Sequence, residues 1–305
     1  MPYNQQTSWT GATDSNWDEP TNWSNGLPDS TAYAVIDGSI SITGGAVTND
    51  ECIACYIAST YTGSIGSTGT PLELDVGQLS VDSSTTGAIH YIHLTGSVNQ
   101  TPTAMVTGAK TGTALYLSGD LNLVIVEEGF TGAMYLGNSA SKVADIKDLV
   151  MLTTSGSVDA SVAANVAWVS SSTINMLSGT LTLGENIGTN SSMILSGGTV
   201  NVTGWTATTG DSFTIQGGTV NWNAGSAGVS SATETTVRTI NMVGGTFTTA
   251  ANDYAHVGLD DINQYGGTMN LQSSFTNIEI NGTYNIYAGA FVSPKQSTLT
   301  TAAKS

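Results

Sequence analysis

Basic side chains are nearly missing from this chain. Its 305 residues hold only six lysines and arginines against 23 aspartates and glutamates, a formal net charge of −17. Lys110, Lys142, Lys147, Arg238, Lys295 and Lys304 are scattered along it. Nucleic-acid binding requires a basic face that releases counterions from phosphates. The field of so acidic a molecule also repels anionic membranes. No nucleic-acid partner and no membrane insertion are therefore expected. A single arginine also argues against lyases of acidic sugars, which need cations to hold the substrate carboxylate.

Charge of either sign is sparse, at 10% of residues against about 25% in ordinary domains. No apolar run reaches the ~18 residues a spanning helix requires. The opening MPYNQQTSWTG has neither the basic nor the apolar region of a secretory signal. There are two cysteines, Cys52 and Cys55, in a CxxC. A zinc site needs four ligands, and no second pair or nearby histidine supplies them. A redox CxxC usually opens a helix, whereas this one lies in an apolar run that reads as strand. Residues i and i+3 of a strand point to opposite faces, so two small buried thiols are expected there. No cofactor or metal is implied.

Glycine is abundant, 36 residues, and it recurs in a pattern. SGGTVNVTG and QGGTVNWNAG repeat one phrase 20 residues apart. Related phrases are INMLSGTLTLG, INMVGGTFTTA, INQYGGTMNLQ and IEINGTYNIYAG, with fainter copies in ISITGGAVTN, IHLTGSVNQ and LYLSGDLNLV. The glycines before the marker threonine are Gly179, Gly198, Gly218, Gly245, Gly267 and Gly282, spaced 19, 20, 27, 22 and 15. Self-similarity at such a period marks a solenoid. Each unit is a short alternating strand, a glycine corner, a second short strand and a polar turn. Alternation sends one face inward, the glycine permits a sharp corner, and the asparagine between apolar residues faces out.

The expected fold is all-β: a single-stranded right-handed parallel β-helix of roughly 13 coils at ~20 residues each, with an N-terminal Trp-rich cap. The divisions are an arm and aromatic cap at 1–34, the helix at 35–290 and a polar tail at 291–305. A sandwich of antiparallel strands is the competing architecture, but sandwiches rarely repeat one phrase in register. Two segments break the grammar. Ala140–Leu152 places Val143, Ile146 and Val150 at helical spacing, as one helical turn or an irregular rung. Ser226–Arg238 reads as a projecting loop.

The segment Ser8–Ser30 differs from the rest. It holds Trp9-x-Gly11, Trp17, Asn22–Trp23 and Leu27–Pro28. This pattern resembles the segment that opens the β-helical passenger regions of many bacterial surface and autotransporter-type adhesins. The resemblance covers about 25 residues plus the solenoid behind them, and it implies fold rather than activity. Physically, the first coil of a solenoid exposes unpaired backbone and an open core, and Trp9, Trp17 and Trp23 supply an apolar plug. Alternatively, the indoles form a sugar platform.

Candidate chemistry is thin. The densest polar cluster is NDYAHVGLDD, where Asp253, His256, Asp260 and Asp261 offer a cation site or an acid–base pair for glycoside hydrolysis. An acidic turn serving solubility gives the same letters. The acids Asp37, Asp75, Asp82, Asp120, Asp159 and Asp211 stand alone. His90 and His93 sit three apart in a strand and point oppositely. In LNLVIVEEGF, inward Leu121, Leu123 and Ile125 would leave Val124 and Val126 facing out, an apolar strip for a partner.

The expected function is a non-enzymatic structural protein on the outside of a virus particle, made in the host cytoplasm. It would be a bacteriophage capsid decoration (cement) protein or short spike, working as a homotrimer against the major capsid or other virion proteins. The alternatives are a host-glycan-binding spike or adhesin, using aromatics such as Trp205, Trp222, Tyr254, Tyr265, Tyr284 and Tyr287, and a polysaccharide depolymerase.

Overall fold

The computed structural model describes residues 5–48, 50–82, 88–95, 103–106, 114–137, 142–161, 166–184, 190–203, 211–222, 238–249, 257–259, 261–270, 278–280, 283–292 and 300–301. Of these residues 57% lie in strands, which form a parallel β-solenoid of about 8 turns. No α-helix occurs among them; Pro20–Asn22 makes one 3₁₀ turn. The turn count falls below the roughly 13 expected because many coils exceed 20 residues. Gln6 pairs with Tyr33 and Tyr33 with Ala54, and Ala54 pairs with Gln78. The chain divides into two compact units, Met1–Asp159 with Ala164–Val166, and Ala160–Ala163 with Ala167–Ser305.

In the first unit every strand pairs in parallel with its equivalent one coil on. Trp9 lies beside Ile36, Ile36 beside Ile57 and Ile57 beside Val81, all inward. Each such buried aliphatic side chain stabilises by about 1.5–3 kcal/mol. The first strand, Gln6–Trp9, does not end in open backbone. The chain returns across it, with an antiparallel bridge from Trp9 to Trp23 and a bond from Ser24 N–H to Ser8 C=O of 2.9 Å.

Long strands of this unit turn a corner without breaking. At the corner two consecutive residues leave the core. They are Ile53 and Ala54 in Glu51–Ile57, Gly77 and Gln78 in Leu72–Val81, Asn122 and Leu123 in Ala114–Val126, and Lys147 and Asp148 in Ala144–Met151. The alternation therefore slips by one residue. Cys52 and Cys55, three apart, both point inward and are fully buried free thiols. For the same reason Val124 and Val126 are core residues, paired with Leu149 and Met151, and Leu123 and Ile125 are the half-exposed ones. The outward assignment of Val124 and Val126 is thus reversed. The segment read as a helical turn or an irregular rung is the strand Ala144–Met151, with Ile146 buried and Val143 exposed.

The second unit carries the sequence repeat in register. Thr180, Thr199, Thr219, Thr246 and Thr268 stack, as do the buried Leu181, Val200, Val220, Phe247 and Met269 behind them. A second file aligns Ile174, Met193, Phe213, Ile240 and Ile262. A separate three-stranded parallel sheet joins Val257–Leu259, Ile278–Ile280 and Thr300–Thr301.

The two glycines of the motif do different jobs. A side chain on Gly217 would lie 2.5 Å from the Ser196 carbonyl oxygen one coil back, so this position admits only close backbone approach. Gly218 turns the corner at φ +73°. The last repeat is phased differently from the sequence reading. Thr268 pairs with Ala290, which places Gly289, at φ +103°, opposite Gly267. The corner glycine is thus Gly289, 22 residues after Gly267. Gly282, spaced 15, lies outside the described residues.

Candidate functional site

The outward positions show what these surfaces are built to do. In the first unit Glu73, His93 and Ser118 form one file across three coils. His93 Nδ1 lies 3.0 Å from Ser118 Oγ, and Lys142 Nζ reaches Glu73 Oε1 at 2.7 Å, closing over the file. Burial, followed by the Lys142 ammonium, lowers the His93 pKa below its ordinary value. The group of serine, histidine and carboxylate invites comparison with a nucleophilic relay, and its geometry is wrong for one. Ser118 is buried, at 1% exposure. The Glu73 carboxylate is held by the ammonium of Lys142. The arrangement is a polar brace across neighbouring coils.

Beside this file Tyr91, Tyr116 and Tyr135 stack, with ring centroids 4.3 and 4.6 Å apart and planes within 13°. Both faces of Tyr116 are covered by its neighbours, so its free surface is its edge. A sugar stacks on an aromatic face, and this ring offers none.

The second unit replaces the brace by asparagine ladders. Asn221 Nδ2 donates to Asn201 Oδ1 at 2.9 Å, Asn263 to Asn241 at 3.1 Å and Asn285 to Asn263 at 3.0 Å. Each such bond contributes about 0.5–1.5 kcal/mol, and a stack of identical side chains fixes register between coils. The corner before each glycine pair stands out from the solenoid. Leu177, Val243, Tyr265 and Tyr287 are exposed there, the last at 65%. Tyr265 and Tyr287 stack face to face at 4.8 Å with planes 1° apart.

Asp75 and Asp120, expected to stand alone, have acidic neighbours. Asp50 lies near Asp75, Asp18 and Glu73, and Asp145 pairs in register with Asp120, so burial and then these charges push the Asp50 and Asp145 carboxyls up. Other carboxylates are engaged locally. Asp18 accepts from Thr48 N–H at 2.9 Å, and Asp37 accepts from Gly38 N–H and Thr60 Oγ1 at 2.6 Å each. Asp82 accepts from Tyr56 Oη at 3.1 Å, and Asp211 from Ser191 N–H at 3.2 Å. Asp261, from the acidic cluster, accepts from Thr283 N–H at 2.8 Å and Thr283 Oγ1 at 2.7 Å. Its carboxylate thereby ties two coils together. Asp253, His256 and Asp260 lie outside the described residues. Among the described residues no group of three or more His, Cys, Asp or Glu is placed to hold a metal ion.

The three tryptophans come together in the first coil. Trp17 and Trp23 meet edge to face at 4.6 Å and Trp9 and Trp23 at 5.3 Å, all three buried. Their N–H groups are satisfied, Trp23 to Trp17 C=O at 2.8 Å and Trp9 to Ile40 C=O at 3.1 Å. None presents a face to a sugar. Of the other aromatics considered for glycans, Trp222 is buried and Tyr284 is half-buried, donating to Gln264 Oε1 at 2.7 Å. Trp205 and Tyr254 lie outside the described residues. Tyr265 and Tyr287 are the exposed pair.

Sequence reasoning named Asn22 only as the residue before Trp23 in the aromatic pattern and gave no role to what is the fully buried hub of this segment. Its Oδ1 accepts from Thr13 N–H at 2.8 Å and Asp14 N–H at 3.1 Å, and its Nδ2 donates to Asp14 Oδ1 at 2.7 Å and Asn16 C=O at 2.9 Å. The signal available was its place directly before Trp23. No protein-family model, no curated protein and no solved structure matches this chain.

Proposed function

We propose that this chain is a non-enzymatic structural protein of the outside of a virus particle, a bacteriophage capsid decoration protein or short spike, acting as a homotrimer against other virion proteins. One observation carries the reading: many outward polar groups, the Asn201–Asn221 and Asn241–Asn263–Asn285 ladders and the carboxylates of Asp37, Glu73, Asp82 and Asp261 among them, are engaged in bonds from coil to coil. Such wiring favours a stiff stack that resists proteolysis over a reaction centre. The low charge and the contiguous exposed corner residues Val243, Tyr265 and Tyr287 favour lateral contacts between proteins.

The reading is tested on the purified chain by light scattering after size exclusion, together with incubation on host-type surface polysaccharide. A mass three times 31.2 kDa and no new reducing ends or unsaturated products are expected. Release of such products, lost on Asp261→Asn, would replace it by the depolymerase reading.

Tyr265 and Tyr287 support a second reading, host-glycan recognition, because sugars stack on exposed aromatic faces. Glycan-array binding that disappears in Tyr287→Ala would favour it over the structural one.

A further inference from the structure

The coil Thr283–Val292, the last described on the two faces that carry the inward files, is built like those before it but is not covered like them. In one inward file Met176, Leu195, Ile215, Met242 and Gln264 are all buried. The next member, Ile286, pairs with Gln264 in the same register and is 52% exposed. On the second strand of the coil Phe291 continues the inward file of Met269 and is only half-buried, Val292 at the outward position of Asn270 is 47% exposed, and Tyr287 at the corner is more so. The strands Tyr284–Ile286 and Ala290–Val292 each pair on one side, with Asp261–Gln264 and Thr268–Asn270. Their other edges have no strand partner among the described residues.

Open strand edges are normally protected by lysine, proline, a bulge or a covering segment. The first coil of the other unit shows the last device, the return of residues 22–26 across Gln6–Trp9. Residues 283–292, TYNIYAGAFV, contain no proline and no charged side chain. In a chain of net charge −17, this coil is a place where two identical molecules meet without charge repulsion. A second copy also brings what the surface lacks: the same free backbone edges and the same uncovered apolar side chains. An interface of one patch with itself is two-fold, the commonest way soluble proteins associate, and joins copies in pairs, so this contact by itself sets the number of copies at two where the proposed function has three.

We infer that the coil Thr283–Val292 is the contact by which copies of this chain associate, with Ile286, Tyr287 and Val292 buried against a second copy. The inference rests on the self-association in the proposed function and adds where the contact lies.

The test is light scattering of the full chain across a hundredfold range of concentration, for the wild type, Ile286→Lys, Val292→Lys and Leu177→Lys, with circular dichroism to establish that each variant is folded. Ile286 and Val292 are exposed, so a lysine at either is tolerated by the monomer. The expected result is an oligomer in the wild type and in Leu177→Lys, and a mass of 31.2 kDa in the two end-coil variants. A wild-type dimer that the end-coil variants dissociate would correct the number of copies and keep the contact. An oligomer that persists in both end-coil variants overturns the inference while leaving self-association standing. A wild type that is monomeric at every concentration overturns both.

Discussion

The imidazole of His90 lies against the phenol ring of Tyr61, with centroids 5.7 Å apart and planes tilted by 31°. Both side chains are fully buried, and neither nitrogen of His90 has a hydrogen-bond partner. Burial pushes the His90 pKa down to about 4, from an ordinary 6.5. The unfolded chain therefore binds a proton at His90 between these two values, and the folded chain does not. Stability contributed by the neutral imidazole is complete above about pH 6.5 and is lost as the pH falls toward 4. At 1.36 kcal/mol per pKa unit the loss approaches about 3 kcal/mol. Urea melts at pH 7, 5.5 and 4 should show this decline in the wild type. In His90→Leu, which keeps an apolar side chain in the same place, the decline over that window should be smaller by about this amount.

Cys52 and Cys55 should be chemically silent. Burial pushes the Cys52 thiol up to about 12 and the Cys55 thiol well above its ordinary value. The thiolate is the reactive form, so neither residue supplies it at neutral pH. An aromatic disulfide reagent should titrate no thiol in the native protein and two after denaturation. One fast-reacting thiol in the native chain would show that this part of the core opens.

The two cysteines also mark where the sequence could be read and where it could not. Period-two alternation located strands and core correctly wherever a strand stays on one face, as in Thr199–Val202 and Thr219–Trp222. It failed where a strand turns a corner in mid-course. There, two outward residues in succession shift the phase, and letters alone do not tell Asn122–Leu123 from ordinary alternation. That one slip put Cys52 and Cys55 on the same face and sent Val124 and Val126 inward. The phase of the last repeat was misread for a related reason. The Gly-Thr pair at 282–283 imitates the motif, while the true corner, Gly289–Ala290, has lost its threonine. Of the site, the tryptophans were legible because three large apolar residues within 15 positions need a common burial place. The brace of Glu73, His93, Ser118 and Lys142 was not legible, since its members come from separate coils and meet only through the register.

Glycines with positive φ should fall into two classes. Gly26 and Gly218 have similar angles, +83° and +73°. Nothing lies within 4 Å of a side chain built on Gly26, whereas one on Gly218 would sit 2.5 Å from the Gly198 carbonyl oxygen. Gly26→Ala should cost only the backbone term, about 1–2 kcal/mol. Gly218→Ala adds a collision with the backbone of the preceding coil, and the coils must separate to relieve it. Its thermal midpoint should fall several degrees further than that of Gly26→Ala. Equal losses would show that the corner shifts to accept a methyl group.

Asn22 tests what holds the aromatic segment together. Its amide makes four hydrogen bonds inside the loop that returns across the first strand, and its carbonyl accepts from Thr10 N–H at 2.7 Å and Thr10 Oγ1 at 2.9 Å. Asn22→Ala keeps the backbone bonds but removes the acceptor of the Thr13 and Asp14 N–H groups and one of two donors to Asp14 Oδ1, which keeps Asn16 N–H. Thr13 and Asp14 are exposed, so water replaces part of what is lost, and each bond removed costs about 0.5–1.5 kcal/mol. Asn22→Asp restores the acceptor for Thr13 and Asp14 but sets a second carboxylate 2.7 Å from Asp14 Oδ1, so it should rescue little at pH 7 and more at pH 4, where the new carboxyl is protonated and donates. Trp17→Ala, by contrast, removes a fully buried indole and leaves a cavity, at about 3–5 kcal/mol, with no dependence on pH. The pH-dependent rescue by aspartate therefore separates a polar hub from simple packing. It is read from thermal melts of the two Asn22 variants at both pH values, with Trp17→Ala as the reference. If Asn22→Asp and Asn22→Ala melt alike at pH 4, the four amide bonds do not hold the loop, and the indoles alone fix the first coil.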